Sequence, residues 1–321
     1  MVGKFSAAGS GRNYGYGRSL SYAGHQALQE YYGGGHFSSV ATHASRFGQF
    51  VKWARKEEGV RDIARNDAQQ LLERYADNVG QKAEDNVISK AYAQNLISSA
   101  QVVLRAVTGD ETINVKPSEH CGPRSNVRTQ APESLSRATV ERAVGTMREA
   151  GLQRAAAVTE LAREFGLRER EASLADLGRL EREAREHGVV NVQEGTKGGR
   201  DADRLVPVSD GGRAALDAAI AARPEGSRNL LSPGESYRRF VDSELRDGRA
   251  PLKAAGIPGY HDCRAAYACD RYEQLTGHQA PAVSGCRTAA RDVDMQARQA
   301  ITHELGHGRI DVVVSYIGGQ K

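Results

Sequence analysis

The stretch His303-Glu304-Leu305-Gly306-His307-Gly308-Arg309-Ile310-Asp311-Val312-Val313-Val314-Ser315-Tyr316 decides how this chain of 321 residues is read. Its first five residues match H-E-x-x-H, in which two histidines one helical turn apart hold zinc and the glutamate acts as base. The same stretch also sets Leu305-Gly306-His307 ahead of Tyr316, nine residues beyond the histidine. In that frame an imidazole and a phenol, with no metal, would meet a phosphate. A catalytic zinc needs a third protein ligand. The longer zinc pattern H-E-x-x-H-x-x-G-x-x-H would require a glycine at position 310 and a histidine at position 313, where the chain has Ile310 and Val313. Asp311 is the only acidic residue after His307, and it stands too close in sequence to come from a second helix. The zinc peptidase reading lacks a ligand, so metal is expected to be absent.

Composition sets the bounds. The length suits about two domains. Hydrophobic residues make up 39% of the chain, enough for buried cores beneath a polar surface. No run approaches the roughly 18 to 20 apolar residues that a membrane span needs, and MVGKFSAAGSGRNYGYGRSL lacks the apolar core of a secretory signal. A soluble, cytoplasmic protein is expected. Cys121, Cys263, Cys269 and Cys286 form no C-x-x-C pair and are too scattered for a disulfide framework, so reduced thiols are expected. The net charge of +4 and pI near 8.8 permit nucleic-acid binding without showing it.

Working toward the N-terminus, residues 1–35 are rich in Gly, Ser and Tyr and read as a flexible arm. Within it Arg12, Arg18 and the tyrosines could touch a DNA backbone or stack on bases. Residues 36–109 turn helical. Val40, Phe47, Phe50, Val51, Trp53 and Ala54 recur at three-to-four spacing, Asn66 or Asp67 can cap a second helix, and a third ends on Gly109. Residues 110–134 carry Pro, Ser and Asn without periodicity and read as an extended linker. Residues 135–321 open with helices. VVNVQEGTKGGRDADRLVPV then has β-branched runs flanking a glycine-containing turn, a hairpin signal, before helices return. The fold class is mainly α with one small antiparallel β-sheet.

Breaking a phosphodiester without metal calls for guanidiniums around the non-bridging oxygens, a nucleophile that loses a proton, and a proton donor for the leaving oxygen. The chain offers each in order. FGLRERE supplies Arg168, with Glu171 three residues on to buttress it. GTKGGRDADRLVPV presents Lys197 in the hairpin turn, and YHDCRAAYACDRY places His261 and Arg264 on one helical face. His307 and Tyr316 close the series.

These four pieces resemble the catalytic boxes of the tyrosine recombinase, or phage-type integrase, family. FGLRERE is similar to the family's T-G-L-R-x-x-E, TKGGRDADRLVPV to its lysine hairpin with a V-P strand, HDCRAAYA to H-D-x-R-H-x-x-A, and LGHGRIDVVVSY to L-G-H followed by tyrosine. Each fragment alone is weak; their order behind a small helical domain is the signal. The resemblance covers residues 36–321. It implies a two-domain clamp on double-stranded DNA, with a helical core-binding (SAM-like) domain and an α+β catalytic domain. Arg168 and Arg264 would bind the scissile phosphate, and Lys197 would be the general acid for the 5′-oxygen. His261 would assist proton transfer, His307 would donate to the phosphoryl oxygens, and Tyr316 would form a 3′-phosphotyrosyl link. No cofactor is implied. The partners implied are recombination sites on DNA and further copies of the chain, as a tetramer, in the service of integrating or excising a mobile element.

Two departures mark the match. Between Arg264 and His307 lie 42 residues, more than the family usually shows, and the extra piece near 277–298 reads as a surface insertion between helices. Ala265 also stands where the family often has a histidine. Five residues follow Tyr316, too few for a helix, so contacts between copies are expected from other segments. Every singled-out residue also has a plain structural reading: a cap or surface pair for Arg168, an ordinary turn lysine for Lys197, core packing for His307 and Tyr316. His303 and Glu304 read as helix surface or as support for the site. A DNA-binding protein that kept this fold without turnover is the alternative.

Overall fold

The computed structural model of the chain describes residues 11–196 and 203–319, and the chain divides into two compact units after Ser125. Among the described residues no helix is long and apolar enough to cross a membrane.

The first unit is all helical: α1 (Leu20–Tyr32), α2 (Phe37–Lys56), α3 (Ala68–Glu84), α4 (Lys90–Thr108) and α5 (Pro117–Cys121). The α2 residues with apolar spacing, Val40, Phe47, Phe50, Val51, Trp53 and Ala54, all face its core. Asp67 caps α3 by accepting from Gln70 N–H at 3.1 Å, and α4 stops at Gly109, whose φ of 73° is left-handed.

Two expectations are corrected here. The arm of residues 1–35 is ordered over α1, which Ser19 caps and which buries Leu20, Ala23, Ala27 and Leu28. Its packing depends on the absence of a side chain: a Cβ on Gly24 would lie 2.7 Å from the Phe47 ring and 2.8 Å from Val103. Small residues allow this close approach, so α1 carries little of the aliphatic signal that marks a core helix. Nor do residues 110–134 form one extended linker. Ile113, Val115 and Cys121 are buried in the first core, and backbone N–H groups of Asn114 and Val115 donate to Gln69 and Gln101 at 2.8 Å. Side chains from distant helices satisfy this irregular backbone.

The second unit comprises α6 (Arg137–Glu149), α7 (Gln153–Phe165), α8 (Glu169–Leu174), α9 (Leu177–His187), α10 (Asp210–Ala221), α11 (Tyr237–Phe240), α12 (Arg249–Ala254), α13 (Tyr260–Thr276), α14 (Pro281–Ser284), α15 (Arg291–Glu304) and α16 (Val314–Ile317). Among the described residues one antiparallel pair joins them, β1 (Val189–Asn191) with β2 (Leu205–Pro207), in the register Val190 opposite Val206. Helix α13 is buried nearly all round, which marks it as the central element. Asp262 fixes its first turn by accepting from Ser134 N–H at 3.0 Å, Ser134 Oγ at 2.9 Å and Arg128 at 2.5 Å.

The piece near 277–298 is not a surface insertion. Ala280, Pro281, Ala282, Ala289 and Ala297 are buried, and so are Asp294 and Arg298. Asp294 and Arg298 pair inside the fold, while Arg291 and Asp292 stay exposed, so the charge of the segment as a whole gave a false sign of exposure.

Candidate active site

The site is organised around one carboxylate. Glu171 is completely buried, and three guanidiniums surround it: Arg168, Arg204 at 2.8 Å and Arg264 at 3.6 Å. Glu171 also accepts the Arg168 backbone N–H at 2.7 Å, which ties the start of α8 to its own third residue. Burial by itself would raise the Glu171 pKa, but the fields of Arg204, Arg264 and Arg168 prevail and hold it below its ordinary value. Three cations against one anion leave a positive excess in a place with little water. Such a site favours an anionic ligand.

Arg264 projects from the second turn of α13 and is fully buried. It donates to the Gly166 and Leu305 carbonyls, and its Nε lies 3.4 Å from the Tyr316 hydroxyl. Its Nη2 lies 3.3 Å from His307 Nε2. A guanidinium only donates, so His307 accepts there through Nε2. Burial first, then the neighbouring arginines, pull the Arg264 pKa down to about 10, which leaves it charged at neutral pH.

Tyr316, only 4% exposed, stands with its ring between two imidazoles, its centroid 5.4 Å from that of His261 and 5.4 Å from that of His307. His307 is driven down to about 3, chiefly by burial and then by Arg264, Arg168 and Arg204. His261 keeps an outer edge in solvent; burial of its inner face, then Arg264, Arg168 and Arg128, lower its pKa as well. Both imidazoles are neutral near pH 7. A cavity of about 280 Å³ adjoins the cluster, lined by Arg168, Glu171, Thr196, Arg204, His303 and His307 among others.

Arg168, His261, Arg264, His307 and Tyr316, drawn from three separate stretches of sequence, therefore meet in one place. Lys197 lies outside the described residues; Thr196 and Asp203, at the edges of that gap, both line the cavity. The zinc frame is not formed as a helix. α15 ends at Glu304, and Gly306 with φ of 62° turns the chain before His307. The Glu304 carboxylate is instead buried, accepting from Tyr267 at 2.8 Å and Arg271 at 2.9 Å, so it supports the core and does not lie on the helix surface.

Arg204 is the residue that the sequence reading missed. It is 4% exposed; its Nε donates to the Glu304 carbonyl at 2.7 Å, and it packs against Gly306. It thus links Glu171 to the turn that carries His307. A sign was present: Arg204 and Val206 alternate with exposed Leu205, which puts the arginine on the buried face of the hairpin. A buried charge needs a partner.

Comparison with known proteins bears on the fold. The Integrase family profile matches residues 124–270. No curated protein sequence matches the chain. The fold is similar to that of the Tn1549 transposon integrase in complex with circular intermediate DNA, at 12% identity and a TM-score of 0.58, covering 95% of this chain and 97% of that one. It is also similar to a lambda integrase tetramer bound to a Holliday junction, at 14% identity and a TM-score of 0.55, covering 92% of this chain and 75% of that one. A lambda integrase dimer bound to a core site gives 15% identity and a TM-score of 0.53, covering 91% and 96%. Residues 124–270 thus match the Integrase family, and the chain shares its fold with these integrases.

Proposed function

We propose that this recombinase cuts and rejoins duplex DNA at specific sites through a 3′-phosphotyrosyl intermediate, in the integration or excision of a mobile element. Arg168 and Arg264 hold the non-bridging oxygens of the scissile phosphate, and His307 donates to them. The Tyr316 oxygen attacks phosphorus as its proton departs with the help of His261. The bond from phosphorus to the 5′-oxygen breaks, and Lys197 gives that oxygen a proton. One phosphoester replaces another, so resealing by the 5′-hydroxyl needs no nucleotide. The observation that carries this reading is the 3.4 Å approach of Arg264 Nε to the Tyr316 hydroxyl inside a cluster with excess positive charge.

The helical first unit, on this reading, is the core-binding domain, and exchange of strands takes place in the cytoplasm in a tetramer on two DNA sites. The lambda integrase assembly on a Holliday junction is one example of such an arrangement on a similar fold. The test is a duplex nicked beside the cleavage site, drawn first from DNA flanking the gene, so that cleavage releases a short strand and traps the covalent adduct. A denaturing gel should show the adduct for the native chain. Tyr316→Phe, which removes only a hydroxyl, should abolish it while duplex binding stays within about twofold, a change of under 0.5 kcal/mol. An adduct that persists in the variant would overturn the assignment.

A further inference from the structure

Tyr316 sits on α16, a single turn of four residues. A turn that short cannot hold itself in water, so its position is set by what grips it from outside. Part of that grip comes from α13, whose Cys269 Sγ lies 3.6 Å from the Tyr316 carbonyl, and part from the segment between α13 and the L-G-H turn. Arg298, fully buried, forks its Nε onto Asp294 at 2.9 and 3.0 Å. Its two terminal nitrogens donate to the carbonyls of Gly318 at 3.1 Å and Gly319 at 2.8 Å. Asp294 in turn accepts from Tyr272 Oη at 2.8 Å, on the same helix as Arg264. A chain of polar contacts thus runs from α13 through α15 to the two residues that follow α16.

The backbone path is as tightly specified. Gly318 has φ of 90°, and a Cβ there would lie 2.5 Å from Ala282 N in α14. On the opposite flank, Arg128 N–H donates to the Val314 carbonyl at 2.9 Å. Every group in this grip belongs to the unit that also carries Arg168 and Arg264.

We propose that residues 277–298 form a clasp for the nucleophile. Arg298 is a positioning residue that fixes Tyr316 through the Gly318 and Gly319 carbonyls, and it commits the tyrosine to the phosphate held by its own chain's arginines. The inference rests on the phosphotyrosyl reading above. Without the fork, the last turn keeps its ties to α13 and Arg128 but loses the hold on the two residues just after it, and a misplacement of about 1 Å is enough to cost on the order of 100-fold in rate.

Asp294→Asn with Arg298→Met tests it, the two changed together so that no lone charge stays buried. Gly318→Ala is the second variant, because it disturbs the same path without touching a charge. For each, duplex binding and thermal unfolding are measured beside single-turnover adduct formation. We expect native-like binding and a cleavage loss between about 10- and 100-fold, with Arg298→Lys, which keeps the charge but not the planar fork, falling in between. A purely supporting role would lower the unfolding temperature and leave the cleavage rate per bound duplex unchanged; that result overturns the proposal.

Mixing supplies the second arm. Tyr316→Phe chains combined with Arg264→Lys chains should give no adduct above either alone, since each active site lacks a member. Recovered adduct would mean that the tyrosine crosses between copies, and the clasp would be refuted. Failure of the native chain itself to form an adduct would instead count against the phosphotyrosyl reading, so the two failures are distinct.

Discussion

Replacing Arg264 by lysine keeps the charge and removes the fork. In the structure this guanidinium reaches five groups: the carbonyls of Gly166 and Leu305, the Glu171 carboxylate, the Tyr316 hydroxyl and His307 Nε2. An ammonium has three donors on one atom and cannot span such a set. At least two contacts are lost, and hydrogen bonds from a charged donor are worth about 1.5–3 kcal/mol each. A total near 3–6 kcal/mol corresponds to roughly 10²- to 10⁴-fold in rate. The assay is single-turnover cleavage of the nicked duplex on a denaturing gel, with binding followed separately by fluorescence anisotropy. Binding should change little, because most affinity for duplex comes from the many other phosphates. A variant that cleaves within tenfold of the native rate would refute the reasoning, since its donors could then not be acting together on the transition state.

Other tests probe the same site. Glu171→Gln leaves three guanidiniums, two of them buried, without their anion, so unfolding free energy should fall by about 3–5 kcal/mol; an unchanged urea midpoint would contradict this. Acid should also destabilise the fold. His307, held near 3 against an ordinary 6.5, makes the unfolded chain the better proton acceptor, so stability is whole above pH 6.5 and declines as pH falls toward 3. The depressed pKa of Glu171 adds a second loss as pH drops below its ordinary 4.5. His307→Asn should therefore flatten the slope of melting temperature between pH 6.5 and 4.5, and an equal slope in both proteins would sink the assignment. Lys197→Ala should slow cleavage of ordinary DNA by about 10²- to 10⁴-fold, the range for a lost general acid. A duplex with sulfur in place of the bridging 5′-oxygen should escape most of that loss, because a thiolate leaves without a proton; equal losses on both substrates would exclude the role.

The parts of this molecule that could be read from sequence are those whose physics is local. The apolar stripe of α2, the caps at Asp67 and Gly109, the hairpin and the i to i+3 pairing of His261 with Arg264 each depend on neighbours a few residues away. What escaped reading depends on partners far along the chain. Arg204 looks like one more charge in a polar run until Glu171 and the Glu304 carbonyl are seen beside it. Asp294 and Arg298 look like surface residues, yet they satisfy each other in the core and hold backbone carbonyls 20 and 21 positions on. Helix α1 escaped for the opposite reason: glycine and alanine pack well when a facing ring fills the space, and their own hydrophobicity does not announce it. The H-E-x-x-H match fails in sequence on its missing third ligand, but five letters cannot show that the helix also ends between its two histidines.

The contacts of Arg264 divide into two kinds, and the division bears on how a phosphate would enter. The carbonyls of Gly166 and Leu305 and the carboxylate of Glu171 belong to the framework and hold the guanidinium in place. Tyr316 and His307 are contacts that a phosphate can take over. Arg264 has no exposed surface, and Tyr316 has almost none. On the proposed reading, an incoming phosphate gains the guanidinium only by replacing the phenol and the imidazole at its edge. That exchange frees the tyrosyl oxygen beside the phosphorus, and it frees His307 Nε2 to take a proton and face the phosphoryl oxygens. Anion binding relieves the local excess of positive charge, which supplies the driving force for parting Arg264 from its two partners. Binding the phosphate and releasing the nucleophile are then one event, so the tyrosine is offered for reaction only where a phosphodiester is already held.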